Sequence, residues 1–244
     1  MRNLIIDTGN SGTKLALYEN GTQVAFSRKR NLAAGSLRKF NSGRRVNNII
    51  VSSVRGIPVV VNEYARESGA ELLVLDHSTV LPFSIGYESP STLGTDRIAA
   101  VAGAFMLFPG ENVLIIDAGT AITFDILEKN IYHGGNISPG LRTRLRSLNM
   151  FTGRLPLVEL SGDFNSPASN TREAILAGVV CGVVYEINEY IRTFEEKYDS
   201  LKVIVTGGEG TFLEERITGD FVHVPDLVLQ GLNFILEYNA KQTR

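Results

Sequence analysis

The chain has 244 residues, 43% of them hydrophobic and 20% charged, with a net charge of −2. That balance belongs to a soluble globular protein with real cores, in one large or two small domains, and excludes a general electrostatic pull toward nucleic acid or anionic membrane. The lone Cys181 excludes an intrachain disulfide, and His77, His133 and His223 lack metal-ligand spacing. No apolar run is read as reaching membrane-spanning length, and the N-terminus enters a strand with no signal peptide, so a cytoplasmic location is expected.

In chain order, Leu4–Thr13 (LIIDTGNSGT) is an aliphatic run, an Asp and a Gly/Thr/Asn turn; Lys14–Tyr18 is a second run. This predicts a strand, a tight turn and an antiparallel return strand. Thr22–Arg28 reads as a third strand, and Lys29–Arg45 as a polar, basic stretch holding a helix that ends near Gly43. Asn48–Val54 is a buried strand by its β-branching. Pro58 opens a helix at its favoured first-turn position, and Gly69 stops it. Leu72–Asp76 is a strand, and Val80–Ser91, with Pro82, Gly86 and Pro90, a loop. Helical spacing resumes in TDRIAAVAGAFMLF, with Ile98, Val101, Ala102 and Phe105 on one face. The turn residues Pro109–Asn112 mark the expected domain boundary, giving domains 1–110 and 111–244.

The opening stretch then returns. LIIDAGTAIT at Leu114–Thr123 matches it at a shift of 110 positions, pairing Asp7 with Asp117, Gly9 with Gly119 and Thr13 with Thr123, and more faintly Leu17 with Leu127 and Asn20 with Asn130. Each Asp emerges at the end of a buried strand, and the small residues after it let backbone N–H groups approach an anion. A carboxylate beside such a turn makes chemical sense when a divalent cation lies between it and a phosphate. Two facing copies would grip one polyphosphate. Beyond the repeat come the glycine-bearing Gly134–Leu141, a basic amphipathic helix with Arg142, Arg144 and Arg146, and an irregular stretch, Leu155–Ser169. A long helix from Thr171 to Tyr198 follows, with Thr171 as its cap. Lys202–Thr206 is a strand running into Gly207-Gly208-Glu209-Gly210. A short helix (TFLEERI), a strand (FVHVP) and a final helix, Asp226–Tyr238, close the chain.

Four clusters, in this order, resemble one family, the type III pantothenate kinases. Asp7-Thr8-Gly9-Asn10-Ser11-Gly12-Thr13-Lys14 is similar to the family's first phosphate motif, and Gly94-Thr95-Asp96-Arg97 to its G-x-D-R substrate motif. Asp117-Ala118-Gly119-Thr120-Ala121-Ile122-Thr123 is similar to its second phosphate motif, and Gly134-Gly135-Asn136-Ile137-Ser138-Pro139-Gly140 to its G-G-x-I-x-P-G segment. Gly207-Gly208 resembles the adenosine-side glycines of the wider superfamily of sugar kinases, Hsp70 and actin. Each motif is short; the ordered set, spanning Asp7 to Gly208, is specific. Ser11, where many members carry Thr, and Thr95, at a variable position, are the departures.

The resemblance implies an α/β fold of two similar actin-like (ribonuclease H-like) domains flanking a nucleotide cleft. It implies ATP-dependent phosphorylation of pantothenate, with Mg²⁺ and a monovalent cation, K⁺ or NH₄⁺, at Asp117. It further implies ATP contacts from Asp7 through Lys14 and from Thr120, and substrate contacts from Tyr87, Gly94, Thr95, Asp96, Arg97 and Thr171. Asp96 would accept the proton of the attacking hydroxyl, and the planar guanidinium of Arg97 suits the substrate's carboxylate. A homodimer is implied by the family alone, with no nucleic-acid or membrane partner. Plainer readings stand beside these: Asp96 and Thr171 as helix caps, Tyr87 as a packed loop aromatic, Lys14 as an exposed strand lysine, Cys181 as a small core residue. At the level of function the rivals are another small-molecule kinase of the superfamily and a nucleotide-binding regulator without phosphoryl transfer.

Overall fold

The structure is a computed structural model, and residues 1–33, 35–54 and 56–242 are described. The chain forms two compact units. The first comprises 1–110, 129–134 and 226–244; the second comprises 111–128 and 135–225.

In the first unit, β1 (Arg2–Gly9), β2 (Gly12–Glu19) and β3 (Thr22–Lys29) form the antiparallel meander expected from the aliphatic runs and small-residue turns. β4 (Asn48–Ser53) adds parallel to β1 and β5 (Glu71–Val74) parallel to β4, giving the order β3-β2-β1-β4-β5. Both faces of β1 are covered. Leu4 and Ile6 join Ile49 and Val51 in one core with Leu37 of α1 (Ser36–Phe40) and with Val61, Tyr64 and Ala65 of α2 (Val59–Ser68). Strand alternation sends Asn3, Ile5 and Asp7 to the opposite face. There lie α3 (Thr95–Leu107) and α7 (Leu227–Gln242), which pack on each other and on β4, with α7 also on β1. A chain of buried amides joins this face to α7: Asn48 Nδ2 donates to Asn3 Oδ1 at 2.9 Å, and Asn3 Nδ2 to Asn233 Oδ1 at 2.9 Å. The loop at 80–91 is less irregular than expected. It holds a short strand, β6 (Ser84–Ile85), paired parallel with Ile131–Tyr132, and is followed into a 3₁₀ turn at Pro90–Thr92.

In the second unit, β7 (Asn112–Ala118) and β8 (Ala121–Glu128) repeat the hairpin, and the glycine-bearing segment after them is part of a strand, β9 (Ile131–Pro139), whose residues from Gly135 onward belong to this unit. β10 (Lys202–Thr206) runs parallel to β7 and β11 (Val222–His223) parallel to β10, in the order β11-β10-β7-β8-β9. α4 (Leu141–Phe151), α5 (Thr171–Lys197) and α6 (Gly210–Glu214) complete the unit. Contrary to the expectation from apolar run length, α5 is long and apolar enough to cross a membrane by length and composition. Its stripe of Ile175, Val179, Val183 and Ile187 is instead spent on the core under β7 and β8.

The repeat carries a register correction. Asp7 pairs with Lys14, but Asp117 pairs with Thr123, so the return strand arrives one residue sooner in the second copy. The left-handed residues of the next turn, Asn20 (φ 51°) and Lys129 (φ 54°), keep the same one-residue offset. Thr13 therefore corresponds to Ile122 and Lys14 to Thr123. Because strand side chains alternate faces, the sequence identity of Thr13 and Thr123 is not a structural equivalence.

Candidate active site

In the first unit the site grows from the C-terminal ends of β1 and β4. Asp7 is 9% exposed, opposite Lys14 of β2 and beside Ser52 of β4. Ser52 is fully buried, and its hydroxyl lies 2.9 Å from Thr95 Oγ1, tying the sheet to the first turn of α3. Asp96 is the next residue. Its Oδ1 accepts the Arg97 N–H at 2.9 Å, so the cap reading is realised locally while the carboxylate remains half-exposed. Gly94 is the N-cap, without a side-chain cap bond; a Cβ there would sit 2.5 Å from Asp96 Oδ1. Burial, opposed by Lys14 and reinforced by the like charge of Asp96, pushes the Asp7 carboxyl up from 3.8 to about 6. Asp7 and Asp96 are thus close enough to repel each other.

Around the first turn, Thr8 and Thr13 hydroxyls are 3.2 Å apart and Asn10 is exposed. Ser11 accepts from Arg28 Nη2 at 3.0 Å. Gly12 has φ 144°, and a Cβ there would lie 2.7 Å from the Lys29 carbonyl, which is a physical reason for glycine between Ser11 and Thr13. Lys14 is half-buried beside Asp7 rather than a fully exposed strand lysine.

Tyr87 follows β6 and its ring lies on Gly134: a Cβ on that glycine would be 2.4 Å from Tyr87 Cδ2. The Arg97 guanidinium carbon is 5.8 Å from the Tyr87 ring centroid, and Arg97 is only 7% exposed. Tyr87, Asp96, Arg97 and Asp7 are therefore gathered in one unit by the ends of β1 and β4, the start of α3 and the loop after β6.

In the second unit Asp117 ends β7, opposite Thr123 and beside Thr206 of β10. Gly207 packs against it; a Cβ there would lie 2.4 Å from Asp117 Oδ1 and 2.5 Å from the Ala118 carbonyl oxygen. A carboxylate and a carbonyl oxygen thus converge on a glycine-sized cradle, a donor set that suits a hard cation. Among the described residues no three His, Cys, Asp or Glu side chains are grouped to hold a metal ion. Oxygen donors such as Asp7 fit magnesium that arrives with phosphate ligands of its own. Gly140 donates its N–H to the Thr120 carbonyl at 3.0 Å, and Thr143 Oγ1 donates to the same oxygen at 2.7 Å.

Thr171 is exposed at the first turn of α5, and the cap is its neighbour: Asn170 Oδ1 accepts the Glu173 N–H at 3.0 Å. The cap expected at Thr171 is thus one residue earlier, because Asn170, a strong cap former, stands just outside the helix. Pro58 likewise stands one place before the helix that begins at Val59. Thr171 lines a groove of about 830 Å³ between α4 and α5 with Arg144, Ser147, Asn170 and the apolar Leu148 and Ile175. Sequence reasoning passed over Ser52 and, though it named Gly134 in a motif, did not foresee its contact with Tyr87. Ser52 sat inside an aliphatic strand, where only the pairing with Asp7 reveals its direction, and Gly134 was one of several glycines in a motif.

The family model described as type III pantothenate kinase matches residues 3–193. The type III pantothenate kinase of Porphyromonas gingivalis is 43% identical over 243 residues, covering 98% of this chain and 99% of that protein. That of Phocaeicola vulgatus is 39% identical over 240 residues, covering 98% and 99%. Among solved structures, a ROK family glucokinase from Streptomyces griseus in complex with glucose and AMPPNP superposes with a TM-score of 0.56 at 11% identity, covering 98% of this chain and 100% of that one. The fold is that of the actin-like sugar kinases.

Proposed function

The chain belongs to the type III pantothenate kinase family, and from that premise we propose that it transfers the γ-phosphoryl group of ATP to the primary hydroxyl of pantothenate, the opening step of coenzyme A biosynthesis. The observation that carries the reading is the gathering of Asp7, Asp96, Arg97 and Tyr87 around the first turn of α3.

Asp96 orients the substrate hydroxyl and takes its proton as the new O–P bond forms and the bond to the β-phosphate bridging oxygen breaks, releasing ADP. A carboxylate is a weak base at neutral pH, but a loose phosphoryl-transfer transition state asks for positioning more than for early deprotonation. Ser52 and Gly94 supply that positioning, the first through Thr95 and the second by leaving room for the carboxylate. Arg97, stacked near Tyr87, reads the pantothenate carboxylate, with Gly94, Thr95 and Thr171 as further contacts. Thr8, Gly9, Asn10, Ser11, Gly12, Thr13 and Lys14 serve the phosphates from the first turn and Thr120 from the second. Asp7 would hold magnesium together with phosphate oxygens, and the ion would supply charge neutralisation. A monovalent cation, potassium or ammonium, is assigned to Asp117. The protein acts as a cytoplasmic homodimer without nucleic-acid or membrane partners.

The test is ADP release with ATP, magnesium and potassium against pantothenate and a panel of sugars and acids, in wild type and Asp96→Asn. Pantothenate-dependent release by wild type is expected. Asp96→Asn should keep nucleotide affinity and lose roughly a hundredfold or more in turnover, the scale of a general-base contribution. A variant that keeps most of the wild-type rate would reduce Asp96 to a helix cap. Release with a sugar instead would favour the wider kinase superfamily.

A further inference from the structure

The turn at Asp117–Thr120 is held from two directions. On one side Gly207 packs on Asp117, and the Glu209 N–H donates to the Ala118 carbonyl at 2.9 Å. On the other, Gly140 lies so close to the Gly119 carbonyl that a Cβ would be 2.1 Å away, and it donates to Thr120. Gly140 is the N-cap of α4 and has no side chain to satisfy that helix's first N–H groups. Glu209 does so instead. Its Oε2 accepts the Leu141 N–H at 3.1 Å, the Arg142 N–H also bonds to it, and Arg142 Nε lies 3.4 Å from Oε1. Glu209 is 8% exposed, whereas Arg142 is 63% exposed at its side chain. The carboxylate is therefore bound chiefly by backbone, in a low-dielectric place where such bonds are strong. Burial raises its pKa, against the opposing pull of the two N–H groups and Arg142.

One residue thus closes a loop: its backbone holds Ala118, its side chain holds α4, and α4 holds Thr120. We propose that Glu209 is a positioning residue for nucleotide use, its carboxylate fixing the second phosphate turn by joining the two segments that clasp it. The Tyr87–Arg97 cluster belongs to the other unit. The inference rests on reading Asp117–Thr120 as a phosphate-binding turn.

The experiment uses calorimetric titration with Mg·ADP and steady-state kinetics on the full chain, with Glu209→Ala, Glu209→Gln and Arg142→Met. Glu209→Ala should weaken Mg·ADP and raise the ATP KM roughly tenfold, while the pantothenate KM stays within about twofold. Glu209→Gln keeps an oxygen for one N–H and should fall between, about threefold weaker than wild type. Arg142→Met removes only the exposed arm and should bind Mg·ADP like wild type. Wild-type ADP affinity in folded Glu209→Ala, or equal losses in both substrates' KM, would overturn the proposal. So would Arg142→Met reproducing the loss. If Glu209→Ala does not fold, Glu209→Gln carries the test, and wild-type affinity there overturns it. Since the titration needs no turnover, wild type that binds ADP yet ignores pantothenate would refute the kinase reading alone.

Discussion

At the scale of residues, burial changes the chemistry of Asp7 in a way that bears on the site. Its folded-state value of about 6 against an ordinary 3.8 means that the native state binds the proton more tightly than the unfolded chain. Stability of the ligand-free protein should therefore decline as pH rises from about 4 to about 6 and level off above, where the folded state carries the whole cost of a buried charge. Two pH units correspond to roughly 3 kcal/mol at most. Asp7→Asn removes the titration, so the wild-type-minus-variant difference in unfolding free energy should become more negative across that window and favour the variant at pH 7. Denaturant unfolding at a series of pH values measures it. A difference independent of pH would show that burial does not hold this carboxyl up. The same variant should use Mg·ATP poorly, because the function proposed above sets this carboxylate against the cation.

At the scale of elements, the position of Asp96 depends on how α3 lies on α7. The two helices approach through glycines: a Cβ on Gly231 would be 1.8 Å from the Ala99 carbonyl oxygen, and one on Gly103 would be 2.6 Å from that of Leu227. Backbone, unlike a flexible side chain, cannot yield locally, so a methyl group must push the helices apart. Gly231→Ala should lose about 1–3 kcal/mol of stability, the cost of overpacking, and lower turnover by displacing the start of α3. Gly182→Ala in α5 is the contrast. A Cβ there meets nothing within 4 Å, and the exchange should be neutral or gain up to about 1 kcal/mol from helix propensity. Thermal unfolding of the two variants decides the matter; equal midpoints would mean that the α3–α7 contact relaxes freely.

At the scale of the whole molecule, the second unit exposes several large apolar side chains: Ile137 on β9, Met150 and Phe151 at the end of α4, Leu157 just beyond, and Tyr185 on α5. Phe151 is 80% exposed and Met150 77%, far more than a core-forming helix leaves to water without a partner. The homodimer that the resemblance implies is tested at Met150 and Phe151. Met150→Glu with Phe151→Glu should convert a dimer to a monomer in sedimentation velocity, with the far-ultraviolet spectrum unchanged. A dimer that survives both charges would place its interface elsewhere.

The sequence by itself determined most of the strands (β6 and β9 excepted), the two Asp turns, the α/β class and the ordered motifs, because each is written in local chemistry: aliphatic runs, small turn residues, helical spacing. It also marked Asp7, Asp96, Arg97 and Asp117 as the groups to watch. Only the tertiary structure decided what long-range pairing controls. The return strand's register made Lys14, not Thr13, the partner of Asp7, since hydrogen-bond pairing overrides a one-residue identity. The closing helix went back to the first unit, where Asn233 meets Asn3, though nothing local separates its residues from those of the preceding domain. Ser52 acquired a direction only when β4 lay beside β1, and Glu209 acquired a role only when strand β10 brought it under α4. Such groups are polar residues at the ends of ordinary elements, and their meaning resides in what the fold sets opposite them.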